Sequence, residues 1–216
     1  MRLLGITDLH GSREALARIL AHAGPVHAVL LGGDVTHFGS PGDAEQLVEL
    51  AKESGATVLA VAGNCDSAEI DERLVQLGVS LAGRGVVLDA LGLHGLSAIP
   101  PWTSKMYQST EEELAATLEA GYAQLPDARH HGILAHVPPH GLSVDRVFFG
   151  RHVGSRALRT FVDERAPSLV VCGHIHEARG VERVGPTTVA NCGHALGGHY
   201  ALVDVDREIT VELRRA

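Results

Sequence analysis

The sequence is poor in cysteine and in aromatic residues. Only three cysteines occur among 216 residues, and no two of them form a C-x-x-C pair. An odd number of cysteines without that spacing argues against a disulfide framework and predicts a reducing compartment. Aromatic residues make up only 4% of the chain, so the core has to be built from leucine, valine, isoleucine and alanine.

Runs of basic residues and long apolar runs are also missing. Lysine and arginine number 18 against 26 acidic residues, which gives a formal net charge of −8. The absence of a basic stripe argues against an extended nucleic-acid partner. No apolar run reaches the roughly 20 residues of a membrane-spanning helix, and the N-terminus has no signal-peptide pattern. We therefore expect a cytoplasmic protein without a membrane partner, and homo-oligomerisation stays open.

Histidine and glycine, in contrast, are abundant, with 14 and 25 residues. Histidines in this number, outside any histidine-rich tract, favour metal binding or acid–base chemistry. Glycines allow tight turns and close backbone approaches. The composition thus directs attention to sites where the two residue types occur together.

The apolar pattern predicts a single α/β domain over residues 1–216. Strands at 2–7, 27–31 and 57–62 alternate with helices after Ser12 and over 43–53, and this spacing predicts parallel buried strands. Further predicted helices cover about 67–77, 111–124 and 156–165. Further predicted strands lie near 86–89, 92–97, 133–135 and 169–172. Four more strands are predicted between 180 and 213, and these are expected to be antiparallel.

Five polar clusters follow these predicted strands. They are Asp8-Leu9-His10, Gly32-Gly33-Asp34, Gly63-Asn64-Cys65-Asp66, His136 and Gly173-His174-Ile175-His176. Open α/β sheets place their sites at the carboxyl ends of strands, and side chains at i and i+2 of an extended segment share a face. Carboxylate, imidazole and amide-oxygen ligands together suit divalent transition metals. The clusters therefore predict a two-metal hydrolytic site.

The ordered set of clusters resembles the motifs of the calcineurin-like metallophosphoesterase superfamily, in particular its compact single-domain bacterial and archaeal branch. The resemblance extends from residue 8 to residue 176. It implies a four-layer α/β/β/α sandwich in which two mixed sheets pack face to face and helices cover the outside. It also implies a ligand set: Asp8, His10 and His176 for one metal, Asn64, His136 and His174 for a second, and Asp34 as the bridge between them.

The resemblance implies a metal-dependent phosphoric ester hydrolase with two divalent ions. The donor types suit Mn, Fe, Zn or Ni better than Ca²⁺, and Mn is favoured. Two divalent ions outweigh the charges of Asp8 and Asp34, so an anionic small phosphoester is the expected substrate, attacked by a metal-bridging hydroxide. Phosphodiesters are favoured. The alternatives are a phosphomonoesterase and a non-catalytic metal-binding interaction module on the same fold. A metal-dependent amide hydrolase on a barrel is disfavoured, because such enzymes usually begin with His-x-His.

The chain departs from the family pattern at Cys65, where many members have a histidine that protonates the leaving group. A thiol, with an ordinary pKa of about 8.5, suits that role poorly. We expect protonation of the leaving group either to be weak or to come from elsewhere, with His152 and His140 as candidates. Catalysis is expected to depend on Asp34, Asn64, His136 and His152. Without its usual partner, Asp66 is expected to cap the helix at 67–77, with Glu69 as its partner at the third helical position.

Several further residues have two interpretations each. Trp102 and Tyr107, in the predicted loop 98–110, either pack or stack on a base. Arg151, in the loop 136–153, and the helix start at Ser155 either bind a remote phosphate or lie on the surface. In the same way, Asn191 is either a turn residue or a substrate contact, and His94 is expected to be a hydrogen-bonded structural histidine. Glu111, Glu112 and Glu113 are expected to form an acidic first helical turn, and Cys172 and Cys192 to be small buried residues.

Overall fold

The computed structural model describes residues 1–103, 105–125 and 128–216. In these ranges the strands are β1 (Arg2–Ile6), β2 (Ala28–Gly32), β3 (Thr57–Val61), β4 (Val86–Leu88), β5 (Leu91–Leu96), β6 (His130–Ala135), β7 (Leu169–Cys172), β8 (Gly180–Val184), β9 (Thr187–Asn191), β10 (His199–Val205) and β11 (Ile209–Arg215). The helices are α1 (Arg13–Ala23), α2 (Pro41–Lys52), α3 (Ala68–Gln76), α4 (Glu111–Tyr122) and α5 (Arg156–Arg165). None of the helices in the described ranges has the length and apolarity to cross a bilayer.

Two mixed sheets form the centre of the fold. The first has the order β11-β10-β1-β2-β3, and the second has the order β4-β5-β6-β7-β9-β8. The pairs β1–β2 and β2–β3 are parallel, which confirms the predicted strand–helix–strand pattern of the first sixty residues. In the second sheet β5, β6, β7 and β9 run parallel to one another. In each sheet the carboxyl ends of the parallel strands therefore lie along the same edge.

Three apolar cores lie between four layers of secondary structure, namely two sheets and the helices on either side of them. On one face of the first sheet, strand residues such as Leu4 and Ile6 pack against α1, α2 and α3 through side chains such as Leu16. The other face, which includes Leu3, packs directly against the second sheet. The far side of the second sheet packs against α4 and α5 through Leu118 and its neighbours. Because successive strand residues point to opposite faces, one strand serves two cores, and the predicted α/β/β/α sandwich is confirmed.

The two predicted antiparallel pairs of the last four strands are confirmed, and β9 has a further, parallel neighbour. Strand β9 pairs in antiparallel fashion with β8 and in parallel fashion with β7. The reason is that β8 and β9 form a hairpin whose second strand inserts next to β7, so that β9 takes the direction of β7. The remaining two strands, β10 and β11, are antiparallel as expected.

Helix α2 begins two residues earlier than the predicted start at residue 43. Ser40 accepts a hydrogen bond from the backbone N–H of Asp43, and the Asp43 carboxylate accepts one in return from the Ser40 N–H. Pro41 occupies the first helical position, where its missing N–H costs nothing. The capping box therefore fixes the start of the helix at Pro41.

The predicted capping role of Asp66 is wrong. Ser67 is the N-cap of α3, because its hydroxyl accepts a hydrogen bond from the Ile70 N–H. The Asp66 side chain turns inward instead and accepts hydrogen bonds from the backbone N–H groups of Val35, Thr36 and Gly63. Asp66 thus joins the ends of β2 and β3, on which two of the polar clusters lie.

The start of α5 is occupied by a carboxylate of the protein itself. Glu111 accepts hydrogen bonds from the Ser155 hydroxyl and from the backbone N–H groups of Arg156 and Ala157. The helix therefore offers no free N–H groups there for a remote phosphate, which corrects that interpretation of Ser155. The acidic first turn of α4, predicted from Glu111 to Glu113, is confirmed.

Four other interpretations are resolved by burial and contacts. Tyr107 packs, and its hydroxyl donates to Asp71 at 3.0 Å. Asn191 is buried and bonds only backbone groups, those of Val144, Ile175 and Gly193. Cys172 and Cys192 are buried as expected. His94 is fully buried, but neither ring nitrogen has a hydrogen-bond partner among the described residues, so the expectation of a hydrogen-bonded histidine is wrong.

Candidate metal centre

The polar clusters lie where the carboxyl ends of the two sheets meet. Asp8 and His10 follow β1, Asp34 follows β2, and Asn64 follows β3, whereas His136 follows β6 and the pair His174 and His176 follows β7. Backbone hydrogen bonds fix the clusters against one another: the Asp8 N–H donates to Gly33 and the His10 N–H donates to Asp34. The structure thus brings together all seven residues that the sequence predicted as ligands.

Asp34 lies at the centre of this arrangement. Its Oδ2 is 3.8 Å from Nε2 of His10, and its Oδ1 is 3.4 Å from Nε2 of His136. The backbone N–H of Cys65 donates to the same Oδ1 at 2.7 Å, which holds the carboxylate in this orientation. One carboxylate therefore faces both halves of the site with different oxygens, the geometry expected of a bridging ligand.

Asp8, His10 and His176 form the first half. Their ligand atoms all lie within 4.8 Å of one another, and Nε2 of His176 is 3.3 Å from Oδ1 of Asp8. Asp8 is fully buried and accepts a hydrogen bond from the backbone N–H of His174. Burial opposes its ionisation, but the bond from His176 and the nearby imidazoles outweigh burial and lower the pKa of Asp8 to about 2. The carboxylate is thus ionised at neutral pH.

Asn64, His136 and His174 form the second half. Nε2 of His136 lies 2.8 Å from Oδ1 of Asn64, and the rings of His136 and His174 have centroids 4.9 Å apart. Burial and the neighbouring His136 lower the pKa of His174 to about 3. His174 is therefore a neutral imidazole, the form that binds metals.

The hydrogen-bond acceptors around His136 indicate a place for a cation. Nδ1 of His136 contacts the Gly32 carbonyl at 3.1 Å, and because a carbonyl only accepts, the ring proton is on Nδ1. In a neutral ring Nε2 is then an acceptor, yet it faces two further acceptors, Oδ1 of Asn64 and Oδ1 of Asp34. Converging acceptors of this kind are satisfied by a metal ion. Burial opposes charge on His136, but Asp34 and Asp8 outweigh it and raise the pKa of His136, so the same carboxylates that attract a proton there would attract a metal cation.

Two glycines allow the clusters to approach this closely. A Cβ at Gly63 would collide with the backbone N and Oδ1 of Asp34, and a Cβ at Gly173 would collide with Oδ2 of Asp8 and with Thr7. Neither position could hold a larger residue without displacing a candidate ligand. Glycine is therefore required before Asn64 and before His174, because a Cβ at either position would lie too close to a candidate ligand.

The backbone of the site is strained at four of the seven predicted ligands. Asp8, His10, Asp34 and His174 have φ values of 58°, 47°, 46° and 67°. Residues other than glycine seldom adopt this left-handed region, and such conformations persist where the surrounding structure holds them, commonly at functional sites. The strain is therefore concentrated at the residues that the sequence predicted as ligands.

Cys65 is buried next to the candidate metal centre, close to the carboxylates of Asp34 and Asp66. It is buried and free of disulfide partners. Burial, followed by the charge of Asp34 and the hydrogen bond to it, raises the pKa of the Cys65 thiol far above its ordinary value. The thiol is therefore neutral at physiological pH and is a poor proton donor for a leaving group.

His152 lines a cavity of about 330 Å³ that also includes His174. Its Nδ1 contacts the buried carboxylate of Asp145, and its ring centroid is 5.8 Å from that of His140. Asp145 also accepts hydrogen bonds from backbone N–H groups, including those of Gly141 and Gly154. The structure thus places His152 beside the predicted ligands, fixed by a carboxylate.

Sequence reasoning missed three residues of this region. Nδ1 of His37 lies 3.2 Å from Nδ1 of His10, and His10, His37 and Cys65 form a further group with ligand atoms within 4.8 Å of one another. The ring of His194 lies 4.9 Å from that of His176. Asp145, the partner of His152, was not singled out either. His37 follows Asp34 by three residues, which was the one local signal; His194 and Asp145 become neighbours only through the fold.

Comparisons with known proteins agree with this architecture. A family model described as calcineurin-like phosphoesterase matches residues 1–178. The protein MJ1162 of Methanocaldococcus jannaschii, named an uncharacterized protein, is 31% identical over 199 residues, which cover 88% of this chain and 87% of the relative.

Two solved structures show the same fold. The crystal structure of TT1561 of Thermus thermophilus matches with a TM-score of 0.76 and 17% identity, covering 98% of this chain and 97% of that one. A dimetal phosphatase from Danio rerio matches with a TM-score of 0.69 and 12% identity, covering 100% of this chain and 96% of that one. Together with the family match over residues 1–178, the fold and the grouped ligand residues place this chain in the calcineurin-like phosphoesterase family.

Proposed function

We propose that this protein is a dinuclear metal-dependent phosphodiesterase that acts on small phosphodiesters. The observation that carries the proposal is the position of Asp34, whose two carboxylate oxygens face Nε2 of His10 and Nε2 of His136. On one side of Asp34 lie Asp8, His10 and His176, and on the other lie Asn64, His136 and His174. This arrangement supports two adjacent metal positions, with manganese as the favoured ion.

A pair of divalent ions in such a site supplies Lewis-acid activation of water and positive charge for the phosphoryl oxygens. The residues of the chain would hold these ions and orient the ligand atoms. Asp8 and Asp34 provide buried negative charge, and the neutral imidazole of His174 provides a lone pair. The Gly32 carbonyl fixes the tautomer of His136, so that Nε2 points into the site.

The walls of the adjoining cavity favour a diester over a monoester. Beside His174 the cavity is lined by Ile99, Pro100, Pro101 and Val153, whose side chains are apolar. A second ester substituent can bury apolar surface on these walls, whereas a monoester would leave them uncovered. This contrast supports a substrate with two ester groups on phosphorus.

His152 is the proposed proton donor to the leaving group. Its Nδ1 is held by Asp145, which leaves Nε2 as the nitrogen available to a ligand in the cavity. A positioned imidazole contributes on the order of 10²–10⁴-fold to rate when the leaving group needs a proton. His140, whose ring lies 5.8 Å away, is the second candidate.

The test is hydrolysis of bis-p-nitrophenyl phosphate compared with p-nitrophenyl phosphate. The protein is first stripped with a chelator, which is removed, and each ester is then assayed with and without added Mn²⁺. The proposal predicts Mn²⁺-dependent turnover with a higher kcat/KM for the diester. A higher kcat/KM for the monoester would establish the phosphomonoesterase alternative, and stoichiometric metal binding without turnover of either ester would favour the interaction module.

A further inference from the structure

A single exposed tryptophan lies at the entrance to the candidate metal centre. Trp102 lines the 330 Å³ cavity, and its ring centroid is 6.4 Å from that of His174 in an edge-on arrangement. The side chain is half exposed, with a relative accessibility of 49%. Its backbone N–H donates to Gln108, which ties this part of the loop to the chain before α4. A large ring is therefore presented to solvent next to a predicted metal ligand.

An arginine without a carboxylate partner lies over the same ring. The Cζ of Arg151 is 5.8 Å from the centroid of Trp102, a cation–π contact. The arginine ion pairs among residues 1–103, 105–125 and 128–216 are formed by Arg2, Arg73, Arg159, Arg165 and Arg214, and Arg151 takes part in none of them. In a chain with a net charge of −8, an unpaired guanidinium at this cavity is positioned for an anionic ligand.

We propose that this cavity is the site for an aromatic substituent of the phosphoester. The ring of the substrate packs against Trp102, with Ile99 and Val153 as apolar walls. Arg151 holds the indole in place and adds positive charge beside the phosphoryl group. The inference rests on the proposed function, because it assumes that the phosphorus atom lies at the metal centre; it adds the substrate class, namely esters that carry a planar aromatic ring such as an aryl group or a nucleobase.

The energetic effect of such a contact is measurable. Stacking on an aromatic side chain, on the scale measured for nucleic-acid bases, gives roughly a tenfold or greater gain in affinity. The gain should be specific to rings, because a small aliphatic substituent buries little surface on Trp102. Removal of Arg151 should instead weaken anionic ligands with and without a ring.

Phenylphosphonate and methylphosphonate provide a matched pair of probes. Both have a phosphorus–carbon bond that the proposed reaction does not cleave, and both carry the same ionisable groups. Calorimetric titration of the Mn²⁺-loaded full chain should give a Kd about tenfold lower for phenylphosphonate. Because Trp102 is the only tryptophan in the chain, phenylphosphonate should also change the intrinsic tryptophan fluorescence, and methylphosphonate should change it far less.

Variants separate the aromatic contact from general effects. Trp102→Leu should raise the Kd of phenylphosphonate to about that of methylphosphonate, and Arg151→Met should raise both. The control is Phe149→Leu, since Phe149 is a fully exposed aromatic outside the cavity lining; it should retain the tenfold difference. Equal affinities in the unaltered protein, or a difference that persists in Trp102→Leu, would overturn the inference.

The outcome also distinguishes this inference from the proposed function. Turnover of bis-p-nitrophenyl phosphate together with equal phosphonate affinities overturns only the aromatic site. Tenfold discrimination in a protein that turns over no ester supports the aromatic site and contradicts the phosphodiesterase. Binding of neither phosphonate overturns the aromatic site, and the ester assay alone then decides the phosphodiesterase.

Discussion

Nδ1 of His152 lies 2.5 Å from Oδ1 of Asp145, a carboxylate that is fully buried. The same carboxylate accepts backbone hydrogen bonds from Gly141, Leu142 and Gly154. The loop after β6 is therefore organised around one acidic residue, and the imidazole takes its orientation from it. In the proposed mechanism this pair, rather than Cys65, supplies the proton to the cavity.

The first prediction concerns His152. His152→Gln should lower kcat for alkyl phosphodiesters, whose leaving groups need protonation, by about 10²-fold or more, and should change p-nitrophenyl ester hydrolysis much less. Asp145→Asn should produce the same pattern, because it loosens the imidazole. The measurement is the dependence of kcat on leaving-group pKa. His140→Gln tests the second candidate and should not show this pattern if His152 is the donor. Equal losses for both ester classes in His152→Gln would remove His152 from proton transfer.

The second prediction concerns Asp34. Asp34→Asn keeps the size of the side chain but removes the charge that faces His10 and His136, so turnover should fall by at least about 10²-fold. Metal analysis should show fewer than two ions per chain, and this result does not depend on catalysis. Glu45→Gln, which removes the charge from a partly buried ion pair with Arg73, is the matched control. Full metal content with near-normal turnover in Asp34→Asn would contradict the bridging role.

The third prediction concerns the thiol beside the site. Because burial and Asp34 raise the pKa of Cys65, the thiolate is scarce at pH 8 and alkylation of the folded, metal-free protein by iodoacetamide should be much slower than that of a free cysteine. Cys65→Ser should keep turnover within a few-fold, since the thiol transfers no proton. Peptide mass spectrometry gives the alkylation rate. Rapid modification of Cys65 in the folded state would show an ionised thiol, contrary to this account.

The fourth prediction is a pH dependence of stability that originates at a residue outside the candidate ligand set. His94 is fully buried near the rings of Tyr122 and Phe161, and burial lowers its pKa to about 4. In the unfolded chain its pKa is the ordinary 6.5, so the unfolded state binds the proton first as pH falls. His94 should therefore cost the metal-free protein about 2 kcal/mol of stability between pH 7.5 and pH 5.

Substitution isolates this effect from that of the other histidines. In His94→Leu, the loss of unfolding free energy between pH 7.5 and pH 5 should be smaller by about 2 kcal/mol than in the unaltered protein. Urea unfolding of both metal-free proteins at the two pH values measures the difference. An identical pH dependence in the two proteins would mean that His94 is protonated in the folded state.

The grouping of the candidate ligands could be predicted because its sequence signals are local. Asp8, Asp34 and Asn64 each follow an apolar strand directly, and the direction of parallel strands determines that such residues meet at one edge of a sheet. The glycines before them add a second local signal, since Gly63 leaves no room for a side chain beside Asp34. The fold and the grouping of these residues could therefore be predicted from short segments.

The contacts that could not be predicted are those between distant loops. Glu111 occupies the start of α5 across 44 residues of chain, and no periodicity or spacing encodes that pairing. The sequence suggests Asp66 as the cap of the helix that follows it, because a helix cap is a local pattern. Its hydrogen-bond partners, the backbone N–H groups of Val35 and Thr36, lie about thirty residues earlier in the chain. Such side chain–backbone bonds depend on how the strand ends are placed in three dimensions.

The central claim is that the polar clusters form one centre for two metal ions. Anomalous X-ray scattering from crystals grown with Mn²⁺ tests it most directly. The account predicts two anomalous peaks next to Asp34, one among Asp8, His10 and His176 and the other among Asn64, His136 and His174. An Mn²⁺-saturated crystal with no peak at these residues, or with peaks elsewhere in the fold, would contradict it.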